Sequence, residues 1–437
     1  MDGEQRFTCS QCGRCCTRPW QIVVTPSEAE SYRKADVARF YRESATGPEG
    51  AKKDPFELIS RTKSFHRIRK RDDGACGFLS PAGRCRLHEE LGGMRKPLTC
   101  RMFPWSFHPV EGAVAVGTSF CCPTTIANEG QTTEGQRSEI QALRAEWFAV
   151  YPEKPKAVRF AERRVIDAAA LETVRSLLKQ LLDRPGPDGR PDLRENVLRM
   201  ARVMEDWTRY RVLRLPGEAL GEYFSLTGGH ALVSQKPVAP RPPSRLARLL
   251  LRGFLFVVAA TRLQFENQST SAWRLGLRLR LFGLLAHLHG LGPGVSGIDL
   301  RLARRAPVPF EADPELAAIA RHYLRASIES LGSGKRTVAS ELSVAVAFLD
   351  AACALASMRA AREGRAVDRA IFSEALMEAV DLTHADDEGR VGRILGTLAS
   401  GVESLYAFAA GWPARPKAQP SLPRPEGGGV GHADEGV

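Results

Sequence analysis

The chain has 437 residues and a mass of 47.9 kDa, more than one ordinary core accommodates, so two or three units are expected. Hydrophobic residues at 43% and charged residues at 26% exclude wholesale disorder, and no uninterrupted apolar run reaches the roughly 20 residues of a membrane-spanning helix. The net charge of +12 is concentrated: between Arg241 and Arg305 eleven arginines stand against two acids, Glu266 and Asp299.

The start, MDGEQRFTCSQC, carries acidic residues where a signal peptide has a basic region and an apolar stretch. A secreted, disulfide-stapled protein is therefore not expected, and a bacterial-type cytoplasmic one is. Residues 1–130 read as a small, irregular, cysteine-rich α+β module. After the loop from Cys9 to Trp20 comes a β-like run, Ile22-Val23-Val24-Thr25. Thr25 then predicts a helix N-cap with Pro26 at the first position, and the helix is expected to reach about Arg42. Ser80-Pro81-Ala82-Gly83 is a turn flanked by Cys76 and Cys85. Trp105 to Val110 and Ala113 to Phe120 read as two strands joined at Glu111-Gly112.

From about Glu134 the spacing becomes helical, and the fold class is mainly α: a cysteine-rich module followed by a multi-helix region. Helices are expected near 136–151, 157–183 and 192–213, forming a helical region over 131–232. A Pro-rich linker follows at 233–245, around Lys236-Pro237-Val238-Ala239-Pro240. A helical domain over 246–412 is expected to carry basic Leu-rich helices near 246–264 and 272–289, then helices near 313–331, 336–362, 367–382 and 390–410. The Pro- and Gly-rich tail, 413–437, reads as disordered.

Nine of the ten cysteines lie at or before Cys122. Such clustering without an export signal reads as metal binding before disulfides. In Cys9-x-x-Cys12-x-x-Cys15-Cys16, each Cys-x-x-Cys turn lets two thiolates converge on one ion. The run matches the first three ligands of a bacterial ferredoxin cluster, with Pro19 at the usual fourth position, so further ligands must come from Cys76, Cys85, Cys100 or Cys122. Adjacent cysteines rarely chelate one ion because successive side chains diverge. Four thiolates would complete one tetrahedral site or cluster and eight would complete two. The candidate ligands are Cys9, Cys12, Cys15, Cys16, Cys76, Cys85, Cys100 and Cys122, with Cys121 left out. An iron–sulfur cluster is preferred to zinc, and tetrahedral thiolate sites suit both.

These residues, with Cys76-Gly-Phe-Leu, Cys85-x-Leu-His88, Lys96-Pro97-Leu98-Thr99-Cys100-Arg101-Met102-Phe103-Pro104 and Cys122-Pro123, resemble the YkgJ-type CxxCxxCC cysteine-cluster family over roughly the first 130 residues. The resemblance implies a zinc- or iron-chelating domain. The Cys15-Cys16 pair followed by Trp20 and Ile22 is also similar to flagellin lysine N-methylases. That likeness implies an iron–sulfur cluster and S-adenosylmethionine, used to methylate protein lysines.

Other residues have plainer readings. Arg101 either hydrogen-bonds a thiolate cluster or is an ordinary surface arginine. His88 reads as a helix or core histidine before a ligand. Trp20, Phe103 and Trp105 read as a small core around the metal, and Cys353 as a buried inert thiol. Gly332-Ser333-Gly334-Lys335 is not a phosphate loop, since Glu329 replaces the first glycine and Arg336 the magnesium-binding hydroxyl. Gly290 to Gly297 reads as a linker before a cofactor loop. Peripheral membrane contact through 246–289 is weighed below a packed helical hairpin, and no motif points to specific nucleic-acid binding.

Two function classes follow. In one, the chain is an enzyme, an iron–sulfur-dependent protein lysine N-methylase or an oxidoreductase, acting on a protein substrate or partner. In the other, zinc orders the module and the helices bind a partner.

Overall fold

The structure is a computed structural model that describes residues 5–18, 20–44, 54–60, 64–161, 164–209, 211–239, 307–333 and 336–381. The expected helices near 246–264, 272–289 and 390–410, the Gly290–Gly297 run and the tail lie outside the described residues.

The N-terminal part is built of short elements. Strand β1 (Arg6–Phe7) pairs antiparallel with β7 (Gln131–Thr132), so the beginning and end of the cysteine-rich segment are stitched together. Strands β2 (Val23–Val24), β4 (Phe65–Ile68) and β3 (Phe56–Ser60) form a three-stranded antiparallel sheet in that order. Thr25 caps α1 (Pro26–Lys34) through a capping box: its hydroxyl accepts from the Glu28 N–H, and the Glu28 carboxylate accepts from the Thr25 N–H at 2.9 Å. The expected continuation to Arg42 is interrupted. Asp36 takes a left-handed φ of 47°, and a second helix, α2 (Ala38–Ser44), starts after it. The break turns Val37, Phe40 and Tyr41 into a core shared with Tyr32, Phe56 and Phe78.

Next come α3 (Arg86–Leu91), α4 (Leu98–Met102), the hairpin β5 (Trp105–Val110) and β6 (Ala113–Thr118), and α5 (Pro123–Ala127). The hairpin is the one read from the sequence, with Val110 opposite Ala113 across Glu111-Gly112. Helix α6 (Arg137–Val150) follows. Residues expected at the start of a helix near 157–183 form instead a hairpin of β8 (Val158–Ala161) and β9 (Arg164–Ile166). Val158 and Phe160 point inward while Arg159 points out, a period of two that favours a strand.

The helical part comprises α7 (Ala168–Leu182), α8 (Leu193–Trp207), α9 (Gly217–Val233), α10 (Pro314–Glu329), α11 (Val338–Glu363) and α12 (Arg369–Asp381). Asp167, Asp192, Asp313 and Thr337 cap α7, α8, α10 and α11 with side-chain oxygens. Helix α11 is long and apolar enough to cross a membrane, and most of it is buried by α10, α12 and β8, as a core helix is. The core of this part is continuous with the N-terminal segment: Val110, Phe120, Cys121 and Ile126 belong to it, and α10 and α12 pack on α5. Cys353 is buried within it.

Candidate metal centre and adjoining cavity

Four pieces of backbone bring the central thiols together. The first is a single 3-10 turn, Arg14–Thr17, which carries Cys15 and Cys16. Gly13 precedes it with φ 67°, and a Cβ there would stand 2.0 Å from the Gly83 carbonyl oxygen, so the turn closes only with glycine. The second piece is Cys76, whose N–H donates to the Cys16 carbonyl at 2.7 Å. The third is Cys85, which bridges Leu79 across the Ser80–Gly83 turn and stands just ahead of α3. The fourth is α4, which carries Cys100. The Leu98 N–H donates to the Glu28 carboxylate at 2.6 Å, and the Thr99 hydroxyl donates to the Val23 carbonyl at 2.9 Å. Glu28 thus caps the start of one helix and seats another.

The result is a group of five thiols, Cys15, Cys16, Cys76, Cys85 and Cys100. Cys16 and Cys76 are buried in one small core, and Cys15, Cys85 and Cys100 pack against it. The Cys16 side chain meets those of Cys15, Cys76 and Cys85. Those contacts hold the Cys16 proton, pushing its pKa up, and the same contact draws Cys15 down to about 7 and Cys85 to about 6. Cys76 is lowered too, by Cys16 first and also by the Phe78 N–H. Cys85 receives the N–H groups of Leu87 and His88. Burial pushes Cys100 upward. Lys96 acts on Cys15, Cys85 and Cys100, and Lys70 on Cys76. Lys70 is itself held by a 2.8 Å hydrogen bond to the Arg18 carbonyl.

The remaining candidates lie elsewhere. Cys9 and Cys12 are exposed. Cys122 is buried with Phe7, Trp105, Phe107 and Ile140, and its thiol receives hydrogen bonds from Thr124 and Thr125. The Cys9–Cys12 loop approaches the same helix through a 2.9 Å Ser10–Thr124 hydroxyl pair. Cys121 sits in the main core beside Asp381. Arg101 turns away from the thiols to the Glu146 carboxylate and the Lys96 carbonyl. The ring of His88 packs on Gly93 and is outside the thiol group. The cationic partners of the thiols, Lys70 and Lys96, escaped the sequence reading. Lys70 stands in the run Arg69-Lys70-Arg71, which reads as a solvated surface, and Lys96 precedes Pro97 within the quoted motif.

No group of three or more His, Cys, Asp or Glu among the described residues is arranged as a finished ligand set for a metal. The donor chemistry nevertheless fits one. It is sulfur alone, with neighbouring N–H groups and lysines to balance thiolate charge, a combination suited to zinc or iron–sulfur and unsuited to hard cations.

A cavity of about 450 Å³ adjoins the thiols. Cys15, Cys16 and Cys100 form one wall, and Trp20 and Phe103, whose rings pack 5.3 Å apart, form the next. The helical part contributes a polar set to the lining: Ser330, Ser333, Arg336 and Glu341. Glu341 accepts from the Gly332 N–H at 2.5 Å and from the Ser333 hydroxyl, and burial pushes its pKa up.

Residues 8–122 match the family model "CxxCxxCC: Putative zinc- or iron-chelating domain". All five grouped thiols, and Cys9, Cys12 and Cys122, fall inside the matched span. Neither a curated protein nor a solved structure matches the chain. The methylase likeness therefore has no relative behind it, and the matched domain is a chelating one without an assigned reaction.

Proposed function

We propose that the chelating domain holds a metal centre through Cys15, Cys16, Cys76, Cys85 and Cys100, and that this centre serves chemistry in the adjoining cavity. The observation that carries the reading is the meeting of the Cys16 side chain with three other thiols, in a group reached from four separate pieces of chain. An iron–sulfur cluster is preferred to a single zinc ion. Cys15 and Cys16 are sequence neighbours in one group, and a cluster several ångströms across accepts diverging thiolates more readily than one ion does. Such a cluster supplies one-electron chemistry when bound. The chain's residues supply thiolates, compensating lysines and a walled space beside them.

The finer reading is S-adenosylmethionine-dependent methylation of lysines on a protein partner in the cytoplasm. A closed zinc site that only orders the domain is the second reading. It is favoured by the burial of Cys76. Anaerobic purification with elemental analysis separates the two. Iron and sulfide in near-equal amounts, with a broad absorption near 400 nm that changes on adding S-adenosylmethionine, is the expected result. Colourless protein with stoichiometric zinc, indifferent to S-adenosylmethionine, would replace the catalytic reading by the structural one.

A further inference from the structure

The polar end of the cavity carries one charge of each sign, and neither comes from the chelating domain. Glu341 lies near the start of α11, and Arg336 lies just ahead of that helix; the two act on each other electrostatically and line the same space. Glu341 spends three of its acceptor positions on the Gly332 N–H, the Ser333 N–H and the Ser333 hydroxyl. A carboxylate offers about four, so it can accept from a further donor in the cavity. Ser330 adds a hydroxyl at this end, and β5 adds Ser106 and His108 along one side. The lining also includes the polar side chains of Gln21, Thr99, Thr118, Ser119 and Ser327, beside the apolar and aromatic ones of Trp20, Phe103, Trp105 and Phe348. A volume of about 450 Å³ is that of a small-molecule site.

We infer that this cavity binds a small zwitterion of the α-amino acid type, its ammonium at Glu341, its carboxylate at Arg336 and its apolar side chain directed along Trp20 and Phe103 toward the thiols. The assignment follows from charge balance. Glu341 and Arg336 together are neutral. A ligand bearing adjacent ammonium and carboxylate groups keeps the buried end neutral, whereas an amine or an acid alone adds an unbalanced charge there. Two aromatic rings at the next wall suit an apolar or aromatic side chain. The inference deepens the proposed function and rests on it only for what the far end of the ligand meets. Recognition at the polar end stands without the metal.

The test is calorimetric titration of the full chain, on samples whose metal content is measured, with L-phenylalanine and L-tryptophan. Their decarboxylated analogues (phenethylamine, tryptamine) and deaminated analogues (3-phenylpropanoate, 3-indolepropionate) are titrated in parallel. At least one amino acid should bind, and each of its analogues should bind at least about tenfold more weakly, as loss of a charge-assisted hydrogen bond requires. Glu341→Gln should bring the amino acid and its deaminated analogue to within about twofold, and Arg336→Gln should do the same for the decarboxylated one. Binding of neither amino acid, equal binding of the analogues, or a preference unchanged in the variants would overturn the inference. Should Glu341→Gln fail to fold, the analogue series on the native chain and Arg336→Gln decide it. Selective binding by metal-free protein would uphold this inference while removing the metal from it.

Discussion

His322 on α10 is a half-buried histidine that joins the two parts of the chain. Its Nε2 donates to the Thr125 carbonyl at 2.9 Å, and its ring lies 5.1 Å from that of Phe120. Burial lowers its pKa, and the hydrogen bond to Thr125 only partly opposes this. The unfolded chain takes up the proton near pH 6.5, whereas the folded chain keeps the ring neutral to lower pH. The contribution of this site is therefore complete above about pH 6.5 and is lost as the pH falls toward the folded value. Thermal unfolding followed from pH 7.5 to 5 should show a drop that His322→Gln reduces. An identical profile in the variant would assign the acid sensitivity to other groups. The thiols make a related point about single residues. Their types and spacing were legible in the sequence. Which of them share a site was not, because that depends on Glu28 seating α4 and on the Cys76 N–H reaching the Cys16 carbonyl, contacts made across tens of residues.

Short elements in the chelating domain hold their shape through close approach. Gly13 is the clearest case, with its left-handed backbone and the Gly83 carbonyl where a Cβ would be. Gly13→Ala should cost more than about 1 kcal/mol and reduce metal content together with stability, read by denaturant unfolding and elemental analysis. Wild-type metal content and stability would show that the turn has room to adjust. Element by element, signals with a local physical cause were the readable ones: the Thr25 cap, the turn before Cys85, the β5–β6 hairpin and the long apolar α11. The two main departures have tertiary causes. Helix α9 contains Gly217, Gly221, Gly228 and Gly229, a composition of poor helix propensity. It forms against α7, where Gly228 lies so close to Leu177 that a Cβ would be 2.7 Å from the leucine side chain. The β8–β9 hairpin forms because its inward side chains, Val158 and Phe160, complete the core beside Trp207 and Phe224.

At the scale of the whole molecule, the loop that carries the first cysteines is tied to the last described helix. Arg18 pairs with Asp381 at the end of α12, both side chains mostly buried, and the Cys121 thiol donates to the same carboxylate. Arg14 and Glu374 form a second, exposed pair at 3.5 Å. The exposed pair should matter little. The buried one should matter much more: Arg18→Ala should cost about 3 kcal/mol by leaving Asp381 buried and unpaired, and Arg18→Met with Asp381→Leu should cost less than the single change. Urea unfolding of the three proteins checks this, and equal losses in the single and double variants would show that no buried charge is stranded. Through this pair and the shared core, the thiol group faces the helical part across the cavity. The sequence separated the two parts correctly in character, but it offered no sign that residues more than 200 positions apart would wall one space.

The most direct test of the five-thiol centre is metal content, measured after anaerobic purification of the native chain, Cys16→Ser, Cys85→Ser and Cys353→Ala. With Cys12→Ser, outside the group, measured alongside them, the native chain, Cys353→Ala and Cys12→Ser should carry the same full complement of iron or zinc, and Cys16→Ser and Cys85→Ser should lose most of it. Undiminished metal in Cys16→Ser would contradict the account.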